Sequence, residues 1–144
     1  MSVEHLVLDA SALIDLLRDE GARIRGRIDG RTLHAPAHLD AEVLSAFGRL
    51  HRAGVVTADV VTACLSAIAA APITRHDVAS LLDGAWARRD RLRLADALYV
   101  ELADRLGVRL ITTDERLGRA SQIAEVVRPR RVIPRAHRRA QIHH

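Results

Sequence analysis

At 144 residues, 49% of them hydrophobic, the chain has the length of one domain and can bury about 68–70% of its unfolded surface in a core of its own. Its single cysteine, Cys64, excludes an internal disulfide and fits a reducing compartment. No apolar run reaches the ~18 residues of a membrane span, and MSVEHLVLDAS has no basic stretch ahead of a long apolar one, so a cytoplasmic protein without membrane contact is expected.

Charge is unevenly placed. All 22 basic residues are arginine, for a formal net charge of +4. Residues 128–144 hold six arginines and no acid, a net of +6, whereas the first 127 residues carry 16 arginines against 18 acids, a net of −2. One domain over residues 1–127 is therefore expected, followed by a basic tail, 128–144. In that tail Arg128, Arg130, Arg131 and Arg135 are candidate contacts to a polyanion. Phe47, Trp86 and Tyr99 are the only aromatic residues. That excludes a surface on which clustered aromatics stack bases.

Taken in chain order, residues 5–9 read as a short buried strand, and ASALIDLLRD after it as a helix. TLHA, residues 32–35, reads as a second strand stopped by Pro36. From Ala37 to about Arg52, the apolar residues Leu39, Val43, Phe47 and Leu50 recur at helical spacing, and Gly54 ends the helix. Thr57 opens an Ala- and Val-rich segment to about Ala71, and Pro72 closes it. Residues 77–89 read as helical. From Leu94 to Leu106, Ala95, Leu98, Tyr99, Leu102 and Leu106 form one stripe, with Gly107 as its stop. VRLIT, residues 108–112, is a strand, and a further strand is expected around 125–133. Strands with unbroken apolar runs, separated by helices, predict an α/β fold with a parallel sheet covered on both faces.

Two of these strands lead into acids, Asp9 and Asp114. In one parallel sheet the C-terminal strand ends share an edge, which is where open α/β folds place their chemistry. Asp96, in the first turn of the 94–106 helix, and an acid beside the 39–50 stripe can join them. For the latter, periodicity does not separate Glu42 from Asp40 on the opposite margin. Taken singly, each acid has a plain structural role, Asp9 as a helix cap and Asp96 as a dipole partner. Taken together they repel: each close pair costs about 4 kcal/mol at ~4 Å and an effective dielectric of about 20. Such a cluster persists if protonated or if it holds cations, and hard ions with all-oxygen shells such as Mg²⁺ or Mn²⁺ suit it.

LVLDASALIDLL, the helix with Glu42, LADALYVELADRLG at 94–107 and LITTDERL at 110–117 together resemble the PIN-domain ribonucleases, and among them the VapC-type toxins of bacterial toxin–antitoxin modules. The resemblance spans roughly residues 5–120. It implies a three-layer α/β/α sandwich around a parallel sheet of four to five strands. It also implies Mg²⁺- or Mn²⁺-dependent hydrolysis of RNA phosphodiester bonds, which inhibits translation or growth unless a cognate VapB-type antitoxin neutralises the toxin. By the same resemblance the catalytic and metal-binding acids fall on Asp9, Glu42, Asp96 and Asp114, with Ser11 and Thr112 as supporting hydroxyls. A homodimer is implied too.

Other chemistries fit less well. A phosphatase with an aspartyl nucleophile needs a second acid two residues after the first, where this chain has Ser11. His34 and His38 are four apart but straddle Pro36, which breaks the helix that a paired-histidine zinc site requires; both are expected in a loop. A serine nucleophile lacks the G-x-S-x-G elbow. The remaining alternative is a PIN-like scaffold without catalysis that binds RNA or a protein.

Overall fold

The computed structural model describes residues 2–18 and 21–128. Five strands form one sheet in the order β3-β2-β1-β4-β5, every neighbouring pair parallel. They are β1 (His5–Leu8), β2 (Thr32–Pro36), β3 (Ile73–His76), β4 (Arg109–Thr112) and β5 (Ala124–Val126). The helices are α1 (Ala10–Leu17), α2 (Ala22–Ile28), α3 (Leu39–Arg52), α4 (Ala58–Ala70), α5 (Leu82–Ala87), α6 (Leu94–Leu106) and α7 (Glu115–Ala120). The expected α/β class and parallel sheet are observed.

Burial explains the central strands. Leu6, Val7 and Leu8 of β1 and Leu110 and Ile111 of β4 are all fully buried, because helices cover both faces of the sheet. The helix α6 lies across β1, β2 and β4, with α5 packed beside it, while α1 packs on β4 and joins α2 and α3. Tyr99 of α6 and Phe47 of α3 are the largest fully buried side chains.

The strand order fixes where chemistry can sit. From β1 the chain moves outward through β2 to β3, then returns to the other side of β1 as β4 and continues to β5. The direction of winding reverses between β1 and β4. A crevice opens at the C-terminal ends of strands at such a reversal. Asp9 follows β1 and Asp114 lies two residues beyond β4.

Some local expectations need correction. Residues 77–89 are a 3₁₀ turn at Ala79–Leu81 followed by the short α5, not one helix. The strand β2 includes Pro36 as its last residue. The last strand ends at Val126, and the remainder of the segment expected around 125–133 runs beyond the described residues after Arg128. The elements α2, β3 and α7 were not anticipated. All are short, and Pro72, which closes α4, masks the start of β3 in the sequence. The contact between α7 and β5 depends on Gly118, where an added Cβ would stand 2.2 Å from Val126 Cγ2. Other signals are realised as read: Thr57 caps α4 by accepting from Val60 N–H at 3.3 Å, and Gly107 ends α6 at φ 68°. Among the described residues no helix is long and apolar enough to cross a membrane. The tail residues Arg130, Arg131 and Arg135 lie outside the described residues.

Candidate active site

Asp9 does cap a helix. Its Oδ1 accepts from Ala12 N–H at 2.9 Å and from the Ser11 hydroxyl at 2.7 Å. The cap alone does not account for its cost, since the residue is only 5% exposed. Burial pushes its pKa up to about 6, against hydrogen bonds from Thr112, Ala12 and Ser11, and the charge of Asp96 raises it further.

Ser11 and Thr112 bind the two strand ends together. Ser11 Oγ accepts from Thr113 N–H at 3.1 Å and lies 3.2 Å from Thr112 Oγ1. Thr112 Oγ1 in turn accepts from Asp114 N–H at 3.0 Å. One chain of hydroxyls therefore runs from the Asp9 carboxylate to the Asp114 backbone. Asp114 caps α7 through Oδ1, which accepts from Arg116 N–H at 2.9 Å and Leu117 N–H at 3.4 Å.

Asp96, in the first turn of α6, is where the acids meet. Burial raises its pKa, and the charges of Asp114 and Glu42 raise it more, while Arg93 and Arg116 pull it down. With Asp9 also bearing on Asp96, all four sequence-nominated acids act on one locus. They do not share one open cleft, however. Asp96 and Asp114 line a cleft of about 170 Å³ together with Arg91, Arg93 and Arg116; Asp9 is buried, and Glu42 is not part of that lining.

Geometry separates Glu42 from Asp40. Arg75 of β3 takes Asp40 in a two-pronged bond, Nε to Oδ2 at 2.7 Å and Nη2 to Oδ1 at 2.9 Å. Glu42 instead accepts from the Tyr99 hydroxyl at 2.6 Å at Oε1, and His38 Nε2, which also lies 3.2 Å from the Ala95 carbonyl, stands 3.1 Å from the same oxygen. Burial would raise the Glu42 pKa, but these two donors outweigh it and hold the carboxyl below its ordinary range. Burial and the Glu42 charge push the Tyr99 phenol far up, so it remains a donor at any physiological pH.

Tyr99 and His38 are the site residues that sequence reasoning missed. Tyr99 reads as one more core position in the α6 stripe, and its hydroxyl gives no sign of its partner. The spacing of His38 and Glu42, one helical turn apart, was the available signal. The expectation of a loop holds for His38, in the turn between β2 and α3, and is corrected for His34. His34 lies in β2, with its ring nitrogens 2.8 Å from His5 and 2.9 Å from His76, and His38 precedes α3.

Among the described residues, no group of three or more histidine, cysteine or acidic side chains is placed closely enough to hold a metal ion. The donor chemistry still fits a hard divalent ion. The four groups are carboxylates, and Asp9 and Asp96 have pKa values raised by burial and mutual repulsion that a cation would relieve. Mg²⁺ keeps several waters and needs only one or two direct carboxylates, so an open arrangement suits it.

An acidic locus at the winding reversal of a parallel sheet is an architecture of metal-assisted phosphodiester hydrolases. The chain belongs to the PIN domain family, whose model matches residues 6–123. It is 54% identical over 127 residues to Ribonuclease VapC3 of Mycobacterium tuberculosis, covering 86% of this chain and 93% of that one. The crystal structure of PAE2754 from Pyrobaculum aerophilum superposes with a TM-score of 0.63 at 26% identity, over 85% of this chain and 82% of that one. A toxin–antitoxin complex from Klebsiella pneumoniae shares the fold at a TM-score of 0.61 and 18% identity, over 88% of this chain and 99% of that one.

Proposed function

We propose that this chain is a divalent-metal-dependent endoribonuclease and the toxin of a toxin–antitoxin module. The observation that carries the reading is the convergence of the Asp9, Glu42 and Asp114 charges on Asp96, in a chain 54% identical to a named ribonuclease. Mg²⁺ is the proposed ion, with Mn²⁺ able to replace it. Asp9, Asp96 and Asp114 would hold it, with Glu42 joining directly or through water. When bound, such an ion neutralises phosphate charge and makes a water more acidic.

The chain's own residues supply the orientation. Tyr99 and His38 both engage Oε1 of Glu42, which leaves Oε2 as the oxygen for a water or an ion. Ser11 and Thr112 hold the Asp9 carboxylate and the Asp114 backbone in register, so that the two strand ends move as one. Attack by water on the phosphorus, without a covalent enzyme intermediate, follows from the absence of an activated nucleophile among these groups.

The proposed partners are RNA as substrate, a VapB-type antitoxin and a second copy of the chain as a homodimer, in the cytoplasm. Leu82, Trp86 and Leu94 are each about half exposed (55%, 58% and 48%) and line one cleft with Ala85 and Leu98, an apolar surface suited to an antitoxin segment. Arg128, the last described residue, pairs with Glu115 of α7 at 2.7 Å, beside Asp114. That is a favourable place to contact RNA.

The test is to incubate purified chain with total RNA in Mg²⁺ or in EDTA and to sequence the new 5′ ends. Discrete ends that depend on Mg²⁺ are expected. RNA that is bound but never cut, at any divalent ion tried, would favour the non-catalytic alternative.

A further inference from the structure

Resting on the ribonuclease reading above, we infer that Arg91, Arg93 and Arg116 form a phosphate-binding subsite that grips the RNA backbone beside the scissile bond. These three arginines line the same small cleft as Asp96 and Asp114, and all three are exposed. None makes a side-chain hydrogen bond or ion pair among the described residues. Arg27, Arg75, Arg88 and Arg105, by contrast, are each tied to a carboxylate at 2.5–3.1 Å. What sets the three apart from other unbonded arginines is that they line the cleft with Asp96 and Asp114.

The arginines come from two elements that also supply the acids. Arg91 and Arg93 lead into α6, and Arg116 lies in the first turn of α7. Arg93 occupies the N-cap of α6 in extended conformation without a capping side-chain bond. The helix dipole at this end is already met by Asp96 in the first turn, so the attraction for an anion comes from the arginines. Guanidinium groups match phosphate with paired N–H donors.

The occupant this cleft fits is a phosphodiester backbone. An acidic peptide would bring carboxylates against Asp96 and Asp114. A nucleic-acid strand places its scissile phosphate on the cation held by the acids and its neighbouring phosphate on the arginines. The rest of the cleft is Leu92, Leu117 and Ala120. It has no aromatic ring to stack a base, so this subsite positions the strand without reading its sequence.

The experiment measures binding of a short mixed-sequence single-stranded RNA, with phosphorothioate linkages that slow hydrolysis and keep their charge, to the full-length chain in Mg²⁺ across a range of salt. Variants are Arg91→Gln, Arg93→Gln, Arg116→Gln and the triple. Arg31→Gln, at the opposite sheet edge, controls for loss of charge alone. Each phosphate contact contributes about 0.7 to the slope of log affinity against log salt, so near 0.15 M each cleft variant should bind about fourfold more weakly. The triple should bind about 50-fold more weakly and lose about 2 from the slope. Its Mg²⁺ affinity should rise, because three positive charges have left the metal's surroundings, and a misfolded variant would not show that. Triple-variant slopes equal to wild type, in a wild type that binds and cuts RNA, would overturn the inference and leave the ribonuclease reading standing. Loss of polyglutamate binding with RNA binding intact would overturn it in favour of an acidic protein partner. A wild type that neither binds nor cuts RNA would overturn both.

Discussion

The two edges of the sheet handle charge in opposite ways. At the N-terminal edge the groups are matched. Arg27 bonds Glu4 at 2.5 Å and Glu125 at 2.6 Å, and Arg31 adds a second bond to Glu4 at 3.2 Å. Arg27 holds the Glu4 carboxyl below its ordinary range. His34 is likewise kept toward its neutral form by burial and by the nearness of His76 and His5. At the C-terminal edge the acids face one another, and the arginines beside them pair with nothing among the described residues. The same polypeptide can satisfy its charges and does so at one edge. The mismatch around Asp96 is what the proposed cation and phosphate sites rest on.

Breaking the acid edge should have the largest effect. Asp96→Asn removes the group on which the other three charges bear, and should lower RNA cleavage by about 10³-fold or more while leaving the protein folded. The check is a single-turnover cleavage assay beside a thermal melt. Near-wild-type cleavage in ordinary Mg²⁺ would end the metal mechanism.

Next is the cost of keeping Asp9 ionised. Its pKa is about 6 in the folded chain, against 3.8 for a free aspartate. A carboxyl whose folded value is raised binds its proton more tightly when native, so stability is highest below pH 4 and falls as pH rises from about 4 to about 6. The loss is of the order of 3 kcal/mol, at 1.36 kcal/mol for each pH unit between the two values. Asn at this position keeps the Oδ1 acceptor for Ala12 N–H and has no proton to lose. In metal-free buffer, Asp9→Asn should therefore exceed the wild type in urea stability above pH 6 and converge with it near pH 4. Parallel stability curves would show that Asp9 is not strained by burial. Added Mg²⁺ should narrow the gap at neutral pH, because only the wild type gains from it.

Tyr99→Phe sharpens the comparison at a single oxygen. The ring keeps its place in the core and only the donor to Glu42 Oε1 is lost, leaving His38 to hold the carboxylate alone. Partners of this kind typically cost 10–100-fold in metal affinity or activity, so cleavage should fall by about tenfold with little change in melting temperature. His38→Gln, which can still donate, should be milder. Equal activity in Tyr99→Phe and wild type would make the bond a structural one.

Much of this contrast was legible in the sequence. Apolar runs ending at Asp9 and near Asp114 mark buried strands, and helical spacing places Asp96 one turn into α6. What was not legible depends on a strand too short to see. Periodicity does not reveal β3, so Arg75 has no place, and with Arg75 unplaced only the family resemblance distinguishes Glu42 from Asp40. Four residues, Ile73–His76, carry the arginine that occupies one acid and leaves the other to Tyr99 and His38. The role of Tyr99 was hidden for a related reason. Periodicity reports which side chains are buried but not which buried atom is polar and toward what it points.

The smallest effect belongs to the matched edge. Arg27→Gln removes the central cation of the Glu4 and Glu125 pairs, all three partners being partly exposed, with 22%, 48% and 30% of their side chains accessible. Exposed pairs contribute little and are screened by salt, so the melting temperature should drop by a few degrees at most, and the drop should shrink as salt is raised. Cleavage and the thermal gain from Mg²⁺ should both be unchanged, because no residue of the acid edge bonds to Arg27. The informative measurement is the Mg²⁺ titration of this variant beside that of Asp96→Asn: full response in the first and none in the second assigns metal binding to the C-terminal edge alone. A weakened response in Arg27→Gln would mean that the two edges are linked through β1, whose first residue follows Glu4 and whose last precedes Asp9.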